Sequence, residues 1–187
     1  MTIDPGLTLR ESAAQHLADA GLAADGGEGD RWVKLKIEPI PFAYPNTKGR
    51  KKLLLAHDLH HLLADYRTDL AGEAEMGAWE LGSGMEDRTG VRLALRVVGF
   101  GLARHPGRVF RAFVRGRHCQ NLVGRPLDAA LLDRSVAELR AELGLAGAIP
   151  APSDTDRRAF RRCATKAVAI VWGPLLPMAA IAWWWLR

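Results

Sequence analysis

Cysteine is scarce in this chain of 187 residues, which contains only Cys119 and Cys163, far apart in the sequence. Two isolated thiols provide neither a disulfide framework nor a cysteine-based zinc pattern, and they favour a reducing compartment. The segment after Met1 also lacks a basic stretch followed by an apolar core, which argues against a cleaved secretory signal. We therefore expect the folded part of the protein to be cytoplasmic.

Motifs for nucleotide chemistry and for nucleic-acid binding are also missing. The sequence has no glycine-rich phosphate loop, no dinucleotide fingerprint and no GxSxG nucleophile turn. The formal net charge is +5, yet no helix-turn-helix, zinc-finger or aromatic RNA-binding pattern accompanies it. We do not expect a nucleotide-dependent enzyme, and we expect no nucleic-acid partner.

The spacing of apolar residues predicts a mainly α-helical fold. Capping-box sequences start helices at Thr8 and at Ser135. Four further helices are predicted between turn signals: about 50–64, 69–82, 91–104 and 108–114. Apolar and charged residues alternate over 33–37, which predicts one strand or half of a hairpin. The expected fold class is mainly α, a helical domain with at most a short β element.

The longest apolar run lies at the C-terminal end of the sequence. Residues 167–186 carry no charge, and at ~1.5 Å per residue a helix of this length spans the ~30 Å hydrocarbon core of a bilayer. Residues 183–185 are three tryptophans typical of a membrane interface, and a basic cluster precedes the run. We expect one C-terminal transmembrane helix; the alternative, a buried core helix, is weakened by Pro174 and Pro177.

The chain is therefore expected to have three parts. These are a helical metal-binding domain over 1–145, a linker with a basic juxtamembrane cluster over 146–166, and a transmembrane anchor over 167–186. Because basic residues favour the cytoplasmic side, the anchor would leave the folded domain in the cytoplasm.

Three of the six histidines lie within five positions, at 57–61. His57 and His61 project from the same face of a helix, and Asp58 lies about 100° around from His57, near enough to bind or orient. Glu73 would arrive from the next helix. Two imidazoles with one or two carboxylates suit zinc, or else iron or manganese. The alternative is solvent-facing or hydrogen-bonded histidines, because HxxxH spacing also arises by chance on helices, and His60 points elsewhere.

Glu80 is a further acidic residue that could join this site. It lies seven residues after Glu73, two turns along the same predicted helix. We otherwise expect Glu75 and Glu80 to be surface or fold-supporting residues.

Two separated segments resemble one known family. The run His57-Asp58-x-x-His61, followed by eleven residues and Glu73, resembles the HDxxH-x11-E motif of the coenzyme Q (ubiquinone) biosynthesis protein family. Further along, the Arg-Gly-Arg turn at 115–117 and the Leu-Arg-x-x-Leu-Gly helix end at 139–144 resemble that family's C-terminal pattern. The resemblance covers roughly residues 51–145. It implies a largely helical protein that holds one divalent metal ion through four residues: His57, Asp58, His61 and Glu73.

The resemblance also implies a function. The family is linked to removal of the carboxyl group from C1 of a prenylated aromatic quinone precursor and its replacement by hydroxyl. It is also linked to prenyl-lipid binding and to the organisation of other pathway enzymes. We therefore expect either a metal-dependent lyase or oxidoreductase in which these four residues are catalytic, or a non-catalytic prenyl-lipid scaffold. The expected partners are a quinone precursor or isoprenoid lipid, the membrane, other quinone-biosynthesis enzymes and a second copy of the chain.

A basic stripe on a predicted helix is open to two interpretations. It is formed by four arginines at three- and four-residue spacing: Arg104, Arg108, Arg111 and Arg115. Such a stripe can hold lipid phosphates or another anionic group. It can equally be a solvated basic face.

Overall fold

The structure is a computed structural model that describes residues 4–19, 31–37, 40–45, 48–174 and 183–185. Helices make up most of this part of the chain, which confirms the mainly α-helical prediction. The helices are α1 (Leu9–Asp19), α2 (Lys48–Ala64), α3 (Leu70–Gly82), α4 (Arg88–Arg104), α5 (Pro106–Arg117), α6 (Ala129–Leu132), α7 (Val136–Glu142) and α8 (Asp154–Trp172). The short helix α6 is absent from the sequence prediction.

A two-stranded antiparallel hairpin precedes the histidine-bearing helix. It consists of β1 (Trp32–Ile37) and β2 (Ile40–Pro45), and its register pairs Trp32 with Pro45 and Ile37 with Ile40. The alternating residues at 33–37 therefore form one half of a hairpin, which was one of the two forms expected. Branched and aromatic residues favour extended backbone in this segment.

The two predicted capping boxes are both present, and the structure brings them together. The Thr8 backbone N–H donates to Glu11 Oε2 at 2.9 Å, and the Glu11 N–H donates to Thr8 Oγ1 at 3.2 Å. Ser135 and Glu138 make the same reciprocal pair at the start of α7. Thr8 and Ser135 also face each other in an isolated antiparallel bridge. The starts of α1 and α7 are therefore joined through backbone hydrogen bonds, in which the Leu9 N–H donates to the Arg134 carbonyl oxygen and the Val136 N–H to that of Leu7.

Helix α3 lies at the centre of the core and packs against α4 and α5. Its residues Ala74, Met76, Ala78 and Trp79 are all 0% exposed. Burying a large apolar side chain stabilises a fold by ~1.5–3 kcal/mol, so this helix accounts for much of the hydrophobic stabilisation. Because one side of α3 packs on α4 and α5, the first turn of α3 and its opposite side face α2.

Helix α8 begins inside the segment predicted to be a linker. It starts at Asp154 and packs on α4 and α5, so that only residues 146–153 of the predicted linker lie outside a helix. The start is fixed by a capping box in which Ser153 Oγ donates to Asp156 Oδ2 at 2.6 Å, while Arg117 Nε donates to Asp156 Oδ1 at 3.1 Å. The predicted linker therefore ends at Ser153 rather than at Lys166. The basic residues belong to a docked helix and not to a flexible connection.

The predicted membrane span at 167–186 falls only partly on the residues that the structure describes. Its first six residues belong to α8, while 175–182 and 186 lie outside the described ranges. No helix among the described residues is both long enough and apolar enough to cross a bilayer.

Candidate metal centre

Three predicted ligands converge between α2 and the first turn of α3. His57 Nε2 and His61 Nε2 are 3.2 Å apart. Glu73 reaches both histidines, with Oε2 at 3.4 Å from His57 Nε2 and Oε1 at 3.4 Å from His61 Nε2. One ligand atom from each residue can be chosen so that all three lie within 4.8 Å of one another. The sequence therefore identified three side chains that do meet.

Local structure explains why Glu73 reaches the histidines. Helix α2 ends where Asp65 adopts a left-handed φ of 58°, a conformation that aspartate tolerates better than most residues. Asp69 then caps α3 by accepting a hydrogen bond from the Gly72 N–H at 2.8 Å. A Cβ at position 72 would overlap the Arg67 backbone, so the chain can turn this tightly only with glycine there. Glu73 is consequently placed in the first turn of α3.

Hydrogen bonds at the Nδ1 atoms, across each ring from Nε2, fix the orientation of the His57 and His61 rings. His61 Nδ1 lies 2.9 Å from the Tyr66 carbonyl oxygen, and His57 Nδ1 lies 3.1 Å from Glu80 Oε1. Both of these oxygens are acceptors, so each Nδ1 must carry the donated proton. In the neutral rings the Nε2 atoms then hold lone pairs, which is the arrangement that a metal-ligating histidine needs.

The distance between these two nitrogens fits a shared ion. Two nitrogens bound at ~2.0–2.1 Å to a tetrahedral zinc ion would lie ~3.3 Å apart. The observed separation is 3.2 Å. The two imidazoles and the carboxylate of Glu73 thus form a donor set that suits zinc, and with added water also iron or manganese.

Glu80 and His60 form a buried support for His57. The sequence allowed Glu80 to join the site, whereas the role of His60 was not predicted. Glu80 Oε1 accepts from His60 Nδ1 at 2.8 Å as well as from His57, and His60 Nε2 accepts the Leu122 N–H at 2.9 Å. His60 is 0% exposed and lies outside the group of converging ligands. The i, i+3 spacing of His57 and His60 is the signal that could have revealed the role of His60, while the seven-residue step from Glu73 to Glu80 already indicated Glu80.

The carboxylates set the charge of the site. Burial alone would raise the pKa of Glu73, but hydrogen bonds and charge from His57 and His61 outweigh it and lower that pKa to about 2. Burial likewise opposes ionisation of Glu80, while His57 and His60 hold its pKa well below the usual range. Both glutamates are therefore ionised at neutral pH, and together they provide the two negative charges that a divalent cation would neutralise.

The two buried histidines are shifted in opposite directions. Burial opposes the charge on His57, but the neighbouring Glu80 and Glu73 raise its pKa well above the ordinary value. Burial is the largest influence on His60, and it lowers that pKa. A divalent cation would thus compete with a proton at His57, whereas His60 stays a neutral hydrogen-bonding link.

Asp58 is not among the donors that converge within the described part of the chain. The sequence predicts it as a fourth ligand or as an orienting residue. One residue further along α2 means a rotation of about 100°, which turns Asp58 away from the line on which His57 and His61 lie. The orienting carboxylate on His57 is Glu80 instead.

The site is open on one side. The His61 side chain is only 2% exposed, whereas the side chains of His57 and Glu73 are 27% and 25% exposed. An ion held by these three residues would therefore face solvent or a substrate. Catalytic zinc sites have this arrangement of three protein ligands and one open position.

The predicted arginine stripe is partly used inside the fold. Arg108 makes a two-pronged ion pair with Glu75 through Nε at 3.0 Å and Nη2 at 2.6 Å. Arg115 donates to the Ala64 carbonyl oxygen at 2.7 Å and lies over the Tyr66 ring. Both arginines therefore stabilise contacts between helices, and Glu75 supports the fold as expected.

Comparison with known proteins gave no match to a protein-family model, to a curated protein or to a solved structure. The functional argument therefore depends on the residues of this chain and on the geometry in which they meet.

Proposed function

We propose that the protein binds one divalent metal ion, zinc or alternatively iron or manganese, through His57, His61 and Glu73. The observation that carries this proposal is the pair of Nε2 atoms 3.2 Å apart beside an ionised carboxylate. Each ring is already oriented by an acceptor on its Nδ1, one from Glu80 and one from Tyr66. Such preorganisation is the usual support of a histidine metal site.

For the substrate, we propose a prenylated aromatic quinone precursor that carries a carboxyl group at C1. This part of the proposal is supported by the resemblance of the 57–73 segment to the HDxxH-x11-E motif. In the reaction, the bond from C1 to the carboxyl carbon breaks and a bond from C1 to oxygen forms. The acid, water and dioxygen give the phenol, carbon dioxide and hydrogen peroxide, so dioxygen accepts the two electrons.

The roles of the residues follow from their positions. A bound ion would supply Lewis-acid stabilisation of negative charge on a substrate oxygen. His57, His61 and Glu73 would hold it, and the exposed side of the site would face the aromatic ring. Glu80 keeps His57 in the ligating tautomer, while the buried His60 holds Glu80 in place.

The alternative is a structural ion in a prenyl-lipid scaffold that recruits other quinone-biosynthesis enzymes. It is favoured by the fact that the ligands come from two different helices, α2 and α3, which an ion would clamp together. The two functions predict different effects of the same substitution. Glu73→Gln should abolish turnover and leave a folded protein if the ion is catalytic, whereas it should lower stability markedly if the ion is structural.

We also propose that the uncharged segment at 167–186 anchors the chain in a membrane through the part that follows Trp172, because residues 167–172 pack on α4. The folded domain would then lie on the cytoplasmic side. Support comes from the absence of charge in this segment and from Trp183, Trp184 and Trp185, which are 56%, 71% and 77% exposed. Exposed tryptophans of this kind favour the boundary between lipid and water. An anchor would also suit a polyprenyl substrate, which stays in the bilayer because water disfavours its apolar chain.

Elemental analysis of the full-length protein in detergent tests the metal centre. We expect about one ion per chain in the wild type and in Glu75→Gln, a control on the same helix, because that glutamate pairs with Arg108. His61→Ala and Glu73→Gln should lose the ion. A folded wild type that takes up no zinc, iron or manganese on reconstitution would refute the site. Release of carbon dioxide and a hydroxylated ring from prenylated hydroxybenzoate, lost in Glu73→Gln, would then establish the reaction.

A further inference from the structure

Helices α4 and α8 together form an exposed face that is both basic and aromatic. We call it the basic–aromatic face and define it by three residues of each helix: Arg96, Phe100 and Arg104 of α4, and Arg161, Val168 and Trp172 of α8. The α4 residues are spaced by four, and at 100° per residue the α8 residues lie within an arc of ~40° on that helix. All six side chains are exposed to solvent.

The apolar part of this face is fixed by contacts between the two helices. Trp172 Nε1 donates to the Gly99 carbonyl oxygen at 3.2 Å, and the rings of Trp172 and Phe100 meet edge to face with centroids 5.9 Å apart. Even so, Phe100 remains 44% exposed and Trp172 37% exposed. Folding therefore orients two aromatic rings at the surface without covering them.

The charged part of this face consists of the three arginines Arg96, Arg104 and Arg161. Within the residues that the structure describes, Arg96, Arg104 and Arg161 form no ion pair, in contrast to Arg108 with Glu75 and Arg117 with Asp156. Asp154 is on the same side of α8 but at its opposite end from Trp172. The guanidinium groups of the face are therefore available to anions.

We propose that the basic–aromatic face docks on the headgroup layer of an anionic bilayer. Arginine guanidinium groups bind phosphates with two parallel hydrogen bonds, and aromatic side chains favour the boundary between headgroups and acyl chains. In this arrangement Phe100 and Trp172 enter the boundary, while the arginines of both helices contact lipid phosphates. Trp172 directly precedes the part of the apolar segment that we propose as the anchor, so docking would hold the folded domain against the membrane surface.

This inference rests on the membrane location proposed above but not on the metal centre. The two can fail separately. Co-sedimentation of the full chain with vesicles reports the anchor, and metal content reports the centre, whereas docking of the face needs a probe at the face itself.

A fluorescent label at single positions provides that probe. In the full-length chain carrying Cys119→Ser and Cys163→Ala, one cysteine is introduced by Phe100→Cys or by Ala169→Cys, which is exposed on the outer side of α8. The matched control is Ala141→Cys, exposed on α7. Each is labelled with a polarity-sensitive dye and mixed with phosphatidylcholine vesicles with or without phosphatidylserine. The second position keeps the test valid if a label at 100 disturbs the ring contact.

We expect a blue shift and quenching by brominated lipid at 100 and 169 on phosphatidylserine vesicles, and no change at 141. Dyes that stay unchanged at both positions while the chain co-sediments would overturn the proposal. The same response on purely neutral vesicles would overturn the role of the charges.

Charge variants give the second test. Replacing two arginines by Arg96→Gln with Arg104→Gln should lower the ratio of docked to undocked protein about 25-fold, roughly fivefold for each charge near an anionic surface. The control is Arg10→Gln with Arg67→Gln, which removes the same net charge from exposed ion pairs elsewhere and should leave the ratio within about twofold. An equal fall in the control would mean that net charge alone, and not this face, is responsible.

Discussion

Glu80 holds two histidines of α2 with a single carboxylate oxygen. Its Oε1 accepts from His57 Nδ1 at 3.1 Å and from His60 Nδ1 at 2.8 Å. Glu80→Gln keeps the shape of the side chain and removes its charge. We expect metal affinity to fall about 10- to 100-fold, as is typical when the partner of a ligating histidine is lost. Competition with a chromophoric chelator measures this change.

The control for Glu80→Gln is Glu75→Gln, on the same helix but paired with Arg108. It should leave metal affinity unaltered. If Glu80→Gln bound metal as tightly as the wild type, the carboxylate would not be what orients His57, and the metal-site argument would lose its main support.

The raised pKa of His57 predicts opposite pH responses with and without metal. In the metal-free protein, the stability contributed by protonated His57 is fully present below about pH 6.5 and is lost as the pH rises through the raised pKa. Metal affinity should change the other way, because the ion competes with that proton: it should fall as the pH drops through the same pKa. Chelator competition and thermal melting across this range measure both.

Two further observations check this interpretation. His57→Gln should abolish the loss of stability above pH 6.5 in the metal-free protein. The lowered pKa of His60 acts in a separate window, because its contribution is present above about pH 6.5 and is lost only as the pH falls through its lowered pKa. Metal-free melting temperatures that do not decline above pH 6.5 would contradict the raised pKa of His57.

Among individual residues, the sequence predicted the candidate metal ligands better than the residues that orient them, Glu80 and His60. His57 and His61 share a helix face because they are four residues apart. Glu73 follows a short turn in which Asp69 caps α3 and Gly72 permits the close backbone contact. The choice between Asp58 and Glu80 as the orienting carboxylate depends on how α2 and α3 are rotated against each other. That rotation is set by packing with other helices, which no short motif encodes.

At the scale of elements, the contact between α4 and α8 depends on Gly99. A Cβ at this position would lie 2.6 Å from Val171 Cγ2 and 2.7 Å from the Ala167 carbonyl oxygen. The second atom belongs to the backbone and cannot rotate away. We expect Gly99→Val to lower the free energy of unfolding by about 1–3 kcal/mol through overpacking, measured by urea denaturation.

Gly107→Ala is the matched control for this crossing. It adds a methyl group to an exposed glycine of α5 whose nearest neighbour atom, Arg111 Nη1, is 3.9 Å away. Removing a glycine from a helix should be neutral or stabilising by up to about 1 kcal/mol. A Gly99→Val protein as stable as Gly107→Ala would show that α8 does not pack closely on α4.

Helix α8 shows which element signals the sequence prediction used and which it missed. The helices with clear apolar periodicity were found, whereas residues 154–166 were assigned to a linker with a basic juxtamembrane cluster. The Ser153-x-x-Asp156 sequence is itself a capping-box signal. Phe160, Cys163 and Ala167 then follow at i, i+3 and i+7, a narrow stripe that suffices only because α4 and α5 already provide a surface to receive it.

For the whole molecule, the docked helix makes truncation informative. A chain that ends at Pro152 would lose α8 and expose the Phe110 and Phe113 rings that lie 4.9 Å and 5.5 Å from Phe160. We expect it to be less stable by about 3 kcal/mol or more, since each buried aromatic or aliphatic side chain contributes ~1.5–3 kcal/mol. A chain that ends at Pro174 keeps α8 and is the control.

The comparison is made by urea denaturation of both truncated chains. Equal unfolding midpoints would mean that residues 154–172 add nothing to the fold, as expected of a linker. Metal content should be the same in both chains wherever they fold, because His57, His61 and Glu73 come from α2 and α3, not from α8.

Four features could be predicted from the sequence: the helical class, the capped helix starts, the hairpin strand and three residues of the candidate metal site. All of them follow from spacing along the chain and from turn chemistry. Other features depend on how the helices pack together. These are the support of His57 by Glu80 and the buried His60, the docking of the basic segment as a helix, and the contact of Phe100 with Trp172 at the surface. The residues in these contacts are twenty or more positions apart, and Phe100 and Trp172 are more than seventy apart. They depend on the relative rotation of packed helices, and that is settled by the burial of the whole core rather than by any local pattern.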